Sequence, residues 1–513
     1  MKLSKIFLGI AILALVLFLI LIIKTYTYPF KKIVESQEKD KTSGTISIMD
    51  ESLQRLAGGI RIPTISTTDY EETNFKPFDE FKQYLRDSYP RVYNSLETTT
   101  INNYGLVFHW KGKNSTKKPI LFLSHYDVVP VTGYDLDTIK NSPIIFQPKD
   151  TPIAPIQENK NSWDYSPFSG AVVDGRIYGR GTLDMKGMLF SILEAADQLL
   201  KEGFEPEQDL WFAFGHDEEV SGKQGAVNIA QFFKSKNIEF EAVYDEGGFI
   251  IAPHSILESI GKPMALVGVG EKGFLTLNIE VEGIGGHSSM PPEKSSLVYA
   301  AEIIELLNST QMDAEIIEPI NNFLKNVGGE MGFTSRMAIA NQWLLQPVLI
   351  KSLSKTPASN ALVRTTTAIT MAKGSDAPNV LSTTAEITVN FRILPGNTVK
   401  QVMDHVENLC KGYKVNIKTI SSREPSKISS SQTDGFKKIE SAVNKIYPGA
   451  IISPYITIGG TDAYKYQIVS NNIYRFMPIM VNQFEQRTIH NENEHISIDN
   501  YSKMIAYFKE LMQ

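Results

Sequence analysis

Cysteine is nearly absent from this chain: Cys410 is the only one among 513 residues. No intrachain disulfide can form, and a thiolate-rich metal site is excluded, so any metal must be held by oxygen and imidazole. A basic surface is missing as well. Lys and Arg total 51 against 57 Asp and Glu, a net charge of −6, and no basic run interleaved with aromatics follows the first few dozen residues. Nucleic acid is therefore excluded as a partner. Internal repeats and low-complexity tracts are lacking too. What remains is a globular composition, 42% hydrophobic and 21% charged, in a chain too long for one ordinary core.

One long hydrophobic run is present. Every residue from Ile6 to Ile23 is apolar or Gly, with Lys2 and Lys5 before it and Lys24 after it. At about 1.5 Å per residue such a helix spans most of a hydrocarbon core of roughly 30 Å. A cleaved signal peptide is the competing reading, but Lys24-Thr25-Tyr26-Thr27-Tyr28 offers no small-x-small cleavage pattern. The expectation is a single-pass anchor over residues 1–31 with the large domain outside the cytoplasm, followed by a polar stalk over 32–50.

From about Glu51 onward, strand-like apolar runs (Ile120 to Leu123, Leu210 to Phe214) alternate with helix-like spacing (Met188 to Leu200), which argues for an α/β layer architecture. The stretch from Val131 to Ser162 has no period and reads as a long surface insertion. A second pattern begins near Lys272. It runs as a strand over Phe274–Glu282, a helix over Ser295–Leu307, strands over Arg364–Ala372 and Thr384–Leu394, a helix over Thr398–Lys411 and a strand over Tyr413–Ile420. That βαββαβ order is the ferredoxin-like plan, interrupted by a partly helical insertion over 308–360. The expected division is 51–270 and 422–513 for the first domain, with 271–421 inserted.

Chemistry-bearing residues gather where strands end. Ser124-His125-Tyr126-Asp127 follows an apolar run, and residues two apart on an extended chain share a face, so Asp127 can orient the His125 imidazole. Asp184 follows Gly179-Arg180-Gly181-Thr182-Leu183 just before a helix; it can bridge two cations or simply cap the helix. Asp217-Glu218-Glu219 sets three carboxylates side by side, a repulsion that a cation relieves, although a solvated acidic loop has the same composition. Asp245-Glu246 again ends a strand in acids. Such ends are where open α/β sheets place their ligands.

Taken in order, these segments resemble the co-catalytic zinc peptidase family of carboxypeptidase S and aminoacylase. The resemblance is carried by His125 through Pro130, Trp163 through Gly170, Gly179 through Gly187, Asp217-Glu218-Glu219, Gly285-Gly286-His287-Ser288-Ser289, Asn379-Val380-Leu381, Asn390 through Gly396, Gly459-Gly460-Thr461-Asp462 and His490. Asp245-Glu246-Gly247-Gly248 resembles the carboxypeptidase S branch, which also contains secreted fatty-acyl amino acid hydrolases. The resemblance implies a phosphorylase/hydrolase-like three-layer catalytic domain with an inserted ferredoxin-like lid or dimerisation domain. It implies two zinc ions, one held by His125 and Asp245, the other by Glu219 and His490, with Asp184 bridging. Asp127 would orient His125, and Glu218 would be the general base. His287 would be an oxyanion donor, supplied by domain closure or across a homodimer, with Asn379 assisting and Arg392 gripping a substrate carboxylate.

The implied reaction is hydrolysis of an amide bond next to a free carboxylate. A carboxypeptidase of short peptides comes first and an N-acyl amino acid hydrolase second. A catalytically dead binding relative is disfavoured, because all five ligands and Glu218 are in place. Two departures bear on the substrate: the long 131–162 segment, and Ala463-Tyr464-Lys465 where relatives often carry an Arg-His pair. After His490 stands Asn491 where relatives often have glycine, a residue that tolerates a left-handed turn. His109, His216, His254, His405 and His495 are read as lying outside the site, and Cys410 as inert core.

Overall fold

A computed structural model describes residues 2–31, 48–148, 162–255 and 259–513. Most of the expected stalk (32–47) and the middle of the expected surface insertion (149–161) lie outside the described residues. The chain forms two compact units. One comprises Ile33–Val269, Ser429–Pro454 and Thr461–Gln513; the other comprises Met1–Lys32, Gly270–Ile428 and Tyr455–Gly460.

In the larger unit, the apolar run Ile120–His125 is buried along its whole length. It pairs in parallel with Leu210–Gly215 on one side and Ala242–Asp245 on the other. Ile473–Arg475 continues the sheet in parallel. Strands without polar alternation are expected where both faces are covered, and both are. Leu121 and Leu123 point to one face, against Ile229 and Phe233 of the helix Ala226–Ser235. Phe122 points to the other, 6.3 Å from the Phe508 ring of the helix Ile498–Met512. At the edge, Glu97–Ile101 carries exposed threonines and, among the described residues, pairs only with Gly105–Trp110, a polar edge of the kind that discourages further pairing. Because the central strands are parallel, His125, Gly215 and Asp245 finish at the same rim of the sheet.

The smaller unit carries an antiparallel sheet in the order Thr366–Lys373, Thr384–Ile393, Gly273–Glu282, Val415–Arg423. Alternate residues Leu275, Leu277, Ile279 and Val281 are buried with Ile387, Val389 and Phe391 beneath the helices Ser296–Ser309 and Val399–Leu409. Thr398 and Gln401 close a reciprocal capping box at the second helix. Cys410 lies in this core. The strand expected from Tyr413 starts at Val415, because Gly412 turns the chain in a left-handed conformation (φ 96°) and the Tyr413 amide bonds back to the Cys410 carbonyl at 3.1 Å. The insertion forms helices Glu318–Gly328, Phe333–Ala340, Gln342–Leu353 and Pro357–Val363. The N-terminal apolar helix Lys2–Thr27 packs against the second of these.

Candidate metal centre

The rim of the larger sheet gathers acids and imidazoles around Asp184. Its oxygens face two different histidines: Oδ1 lies 3.1 Å from His125 Nε2 and Oδ2 lies 3.0 Å from His490 Nε2. Glu219 Oε2 is 3.2 Å from His490 Nε2, and Glu246 Oε1 is 3.3 Å from His125 Nε2. Glu218 Oε2 stands 3.9 Å from the same His125 nitrogen. His125 with Asp184 and Glu219, and His125 with Glu218 and Glu246, each present donor atoms within 4.8 Å of one another.

Two buried carboxylates hold this arrangement. Asp127 receives the amides of Glu218 and Glu219, each at 3.1 Å, and the Ser66 hydroxyl at 2.7 Å. His125 Nδ1 lies 3.3 Å from Asp127 Oδ1 and 3.1 Å from the Asp127 carbonyl. With Nδ1 donating there, Nε2 is the nitrogen turned to the acids: against the pull of burial, the surrounding carboxylates raise the His125 pKa well above its ordinary value, so Nε2 carries a proton toward Asp184, and it offers its lone pair to a cation once that proton leaves. Glu494, fully buried, accepts the amides of Gly181 and Leu183 at 2.9 Å and of Asp184 at 3.2 Å through Oε1, while Oε2 pairs with Arg180 Nη1 at 2.5 Å. The loop carrying Asp184 is thus pinned by a side chain that follows His490 by four residues. Gly181 is required in it: φ is +91°, and a Cβ there would come 2.9 Å from Val128 Cγ1.

The electrostatics call for a cation. Burial, then repulsion by Asp184, pushes Glu219 up to about 7. Burial and Asp462 push Asp245 up to about 7, and burial and Asp184 push Glu246 up to about 8. Glu218 is driven well above the ordinary range, first by burial. Asp184 is the exception: burial opposes its charge, yet the bonds from His125 and His490 hold it well below the usual carboxylate range. Glu219 Oε1 and Asp245 Oδ2 are buried with no hydrogen-bond partner. Orphaned carboxylate oxygens beside two imidazoles form a donor set suited to divalent metal.

Among the residues singled out by sequence, the structure brings His125, Asp127, Asp184, Glu218, Glu219 and His490 together. Asp245 ends its strand nearby with Oδ2 unpartnered, and its neighbour Glu246 is the one within ion-pair distance of His125. Glu246, Glu494 and Ser66 were not singled out. The first stood in the acidic strand end and in the Asp245-Glu246-Gly247-Gly248 motif without being given a role. In the turn at His490 the left-handed residues are His490 itself (φ 60°) and Asn493 (φ 56°) rather than Asn491. Lys465, in the departing Ala463-Tyr464-Lys465 segment, pairs with buried Asp462.

His216 packs among Phe78, Tyr104 and Tyr126, with Nε2 3.0 Å from the Tyr70 hydroxyl, and burial pushes its pKa down to about 4. His109 stacks on Trp211 at 4.0 Å.

His287, Asn379 and Arg392 belong to the smaller unit. His287 is exposed and pairs with Val380, the residue after Asn379, in a two-stranded ribbon. Its Nδ1 accepts from the Ser289 amide at 3.1 Å and lies 2.8 Å from the Ser289 hydroxyl. Nε2 is then the protonated, outward nitrogen. Arg392 is exposed on its strand, its pKa drawn down by partial burial and then by neighbouring Arg423.

Comparison with known proteins agrees with this chemistry. Residues 153–513 match the model of peptidase family M20/M25/M40. The chain is 33% identical to a probable carboxypeptidase S-like 2 of Dictyostelium discoideum, covering 96% of this chain and 91% of that protein. It is 32% identical to the N-fatty-acyl-amino acid synthase/hydrolase PM20D1 of Xenopus tropicalis, over 97% and 92%. Carboxypeptidase S of Saccharomyces cerevisiae is more distant, at 25% over 90% and 83%. In fold, the chain is similar to an M20 family metallo-carboxypeptidase of Sulfolobus solfataricus (TM-score 0.61, 20% identity, 90% of this chain and 99% of that one). The chain belongs to peptidase family M20/M25/M40 and is a metal-dependent hydrolase.

Proposed function

We propose that this enzyme holds two zinc ions on either side of Asp184 and hydrolyses an amide bond adjacent to a free carboxylate, with short peptides as substrates. The observation that carries this reading is Asp184, whose two oxygens face two different imidazoles beside orphaned oxygens of Glu219 and Asp245. His125 with Asp245 would serve one ion and Glu219 with His490 the other; Glu246 stands as a competitor to Asp245 for the first. Oxygen and nitrogen ligands suit zinc. Bound there, the pair would supply Lewis acidity toward a water and a carbonyl.

This chain's own residues do the rest. Glu218 takes the proton of the attacking water and returns it to the leaving amine, a task suited to a carboxyl raised by burial. Asp127 keeps His125 in its Nε2-ligating tautomer and, through the amides of Glu218 and Glu219, fixes the turn that presents the base. His287, as an Nε2–H donor, and Asn379 are assigned to the developing oxyanion. Arg392 is assigned to the substrate carboxylate, which its planar fork matches. Both assignments rest on the motifs that carry these residues. The lid or dimerisation role of the smaller unit has the same footing.

A second reading, hydrolysis of N-acyl amino acids, is favoured by the similarity to the PM20D1 protein over nearly the full chain. The helix Lys5–Thr27, long and apolar enough to cross a membrane, is read as an anchor with the enzyme outside the cytoplasm, and it suits lipid-like substrates as well. The deciding experiment is a panel of dipeptides and N-fatty-acyl amino acids assayed with and without chelator. Chelator-sensitive release of the C-terminal residue from dipeptides supports the first reading. Cleavage confined to acyl substrates transfers the assignment to the second, and chelator-insensitive cleavage of either contradicts the metal assignment.

A further inference from the structure

The helix Gln342–Leu353 is apolar around its whole circumference, with Trp343, Leu344, Leu345, Val348, Leu349, Ile350 and Leu353, yet Leu349 is its only buried residue. Trp343 is 56% exposed and Val348 60%, and Phe333 on the preceding helix is 42% exposed. An all-round apolar helix belongs either inside a core or in contact with lipid, and this one is not in a core.

Its position is set by the N-terminal helix. Buried Asn341, directly before it, donates to the Leu21 carbonyl at 3.1 Å and lies 3.2 Å from the Thr25 hydroxyl, and Thr25 is wholly buried. Around this polar lock, Tyr26 meets Phe333 with ring centroids 5.9 Å apart, Lys24 Nζ sits 5.3 Å above the Trp343 ring, and Arg336 lies 5.7 Å from the Phe30 ring. The run from Ile6 to Ile23 is only long enough, at about 1.5 Å per residue, to reach across the hydrocarbon core. Leu21 and Thr25 therefore stand at its boundary, and whatever is locked to them stands at the same depth. Tyr26, Tyr28, Phe30, Phe333 and Trp343, drawn from two distant segments, then form the aromatic girdle expected at a membrane–water interface. From Met331 to Val363 the only charged residues are Arg336, Lys351 and Lys355, so no carboxylate opposes contact with headgroup phosphates.

We propose that the helical insertion, through Phe333, Trp343, Leu344 and Val348, is embedded in the interfacial layer of the bilayer that the N-terminal helix crosses. This rests on the reading of that helix as a membrane anchor. The smaller unit is thereby held to the lipid surface by two elements rather than suspended on one.

The test uses the full chain reconstituted into vesicles of phosphatidylcholine and phosphatidylglycerol, with and without bromine on the phosphatidylcholine acyl chains. Flotation reports anchoring, and tryptophan emission reports contact with lipid. The expected result is flotation together with bromine quenching that Trp343→Phe removes and Val348→Glu weakens, while dipeptide hydrolysis by both variants stays at the native rate. Flotation with emission indifferent to bromine, or with the same quenching in Trp343→Phe, overturns the proposal and leaves the anchor reading standing. A blue-shifted but unquenched Trp343 component places a protein partner there and also overturns it. Failure to float defeats the anchor reading and this proposal with it.

Discussion

Replacing Glu494 tests how the Asp184 loop is held. The Glu494 side chain is fully buried and that of Arg180 is 3% exposed, so removing the carboxylate strands a guanidinium away from water. Breaking a buried pair in that way costs about 3–5 kcal/mol. Glu494→Ala also orphans the amides of Gly181, Leu183 and Asp184, which adds at least about 1 kcal/mol each. The total approaches the whole stability of an ordinary domain, about 5–15 kcal/mol. Glu494→Gln is the sharper probe, because it keeps an acceptor for the three amides and changes only the side facing Arg180, where the charged oxygen is replaced by an amide NH2 that cannot accept.

Burial pushes the Glu494 carboxyl upward, with Arg180 and the Leu183 and Asp184 amides pulling against it. Burial wins, and the Asp184 charge adds to it, so the carboxyl stands above its ordinary range; the penalty for removing its charge comes from the stranded cation. A loss of about 3 kcal/mol follows, the low end for such a break. At roughly 2–4 °C per kcal/mol for larger domains, the melting temperature should fall by roughly 6–12 °C. Because the same loop presents Asp184, zinc content after dialysis should fall in parallel. Differential scanning calorimetry and metal analysis read the two effects. An unchanged melting temperature with full zinc occupancy would refute the clamp.

Three further outcomes are expected. Glu218→Gln should lower kcat by about 10²–10⁴, the usual worth of a general base, with bound metal unchanged; parallel loss of metal would make Glu218 a ligand instead. Removing metal with a chelator should lower the melting temperature, since ligand at a thousand times its Kd stabilises by about 4 kcal/mol, and zinc should restore it; insensitivity to chelator speaks against cations within the buried acids. Lys272 donates to the carbonyls of Ala361 and Arg364 at 2.9 and 2.8 Å, and burial, then Arg392, pulls its pKa down to about 7. Its folded pKa lies below its unfolded value near 10.5, so the unfolded state binds the extra proton between those pH values. Stability therefore falls as pH drops from 10.5 to 7 and is flat, for this group, below 7. Lys272→Met should remove most of that dependence, read as the difference between the two melting-temperature profiles; identical profiles contradict a buried, uncharged Lys272.

Much of the site was legible because its residues sit where apolar runs stop. Ile120–His125, Leu210–Gly215 and Ala242–Asp245 are parallel neighbours, so a charge that ends one run is carried to the same rim as a charge that ends the next. The alternation from Gly273 to Glu282 was equally readable, since one face of that strand is core and the other is not. Glu494 was not readable: it grips backbone amides more than three hundred residues away, and an amide leaves no signature in a side-chain sequence. Nor could spacing choose between Asp245 and Glu246, because both are acids at one strand end and only the fold shows Glu246 Oε1 3.3 Å from His125 Nε2. The docking of the first helix was hidden for a different reason. An apolar run looks the same whether its end is free or locked to Asn341, and the lock consists of a backbone carbonyl and one hydroxyl.

Whether Asp184 is shared by two cations is read directly by anomalous scattering at the zinc edge from zinc-loaded crystals. Two peaks about 3.5–4 Å apart are expected, one on the His125 side of Asp184 and one on the His490 side, with the first also showing whether Asp245 or Glu246 completes its shell. A single peak, or none between those histidines, would contradict a shared Asp184.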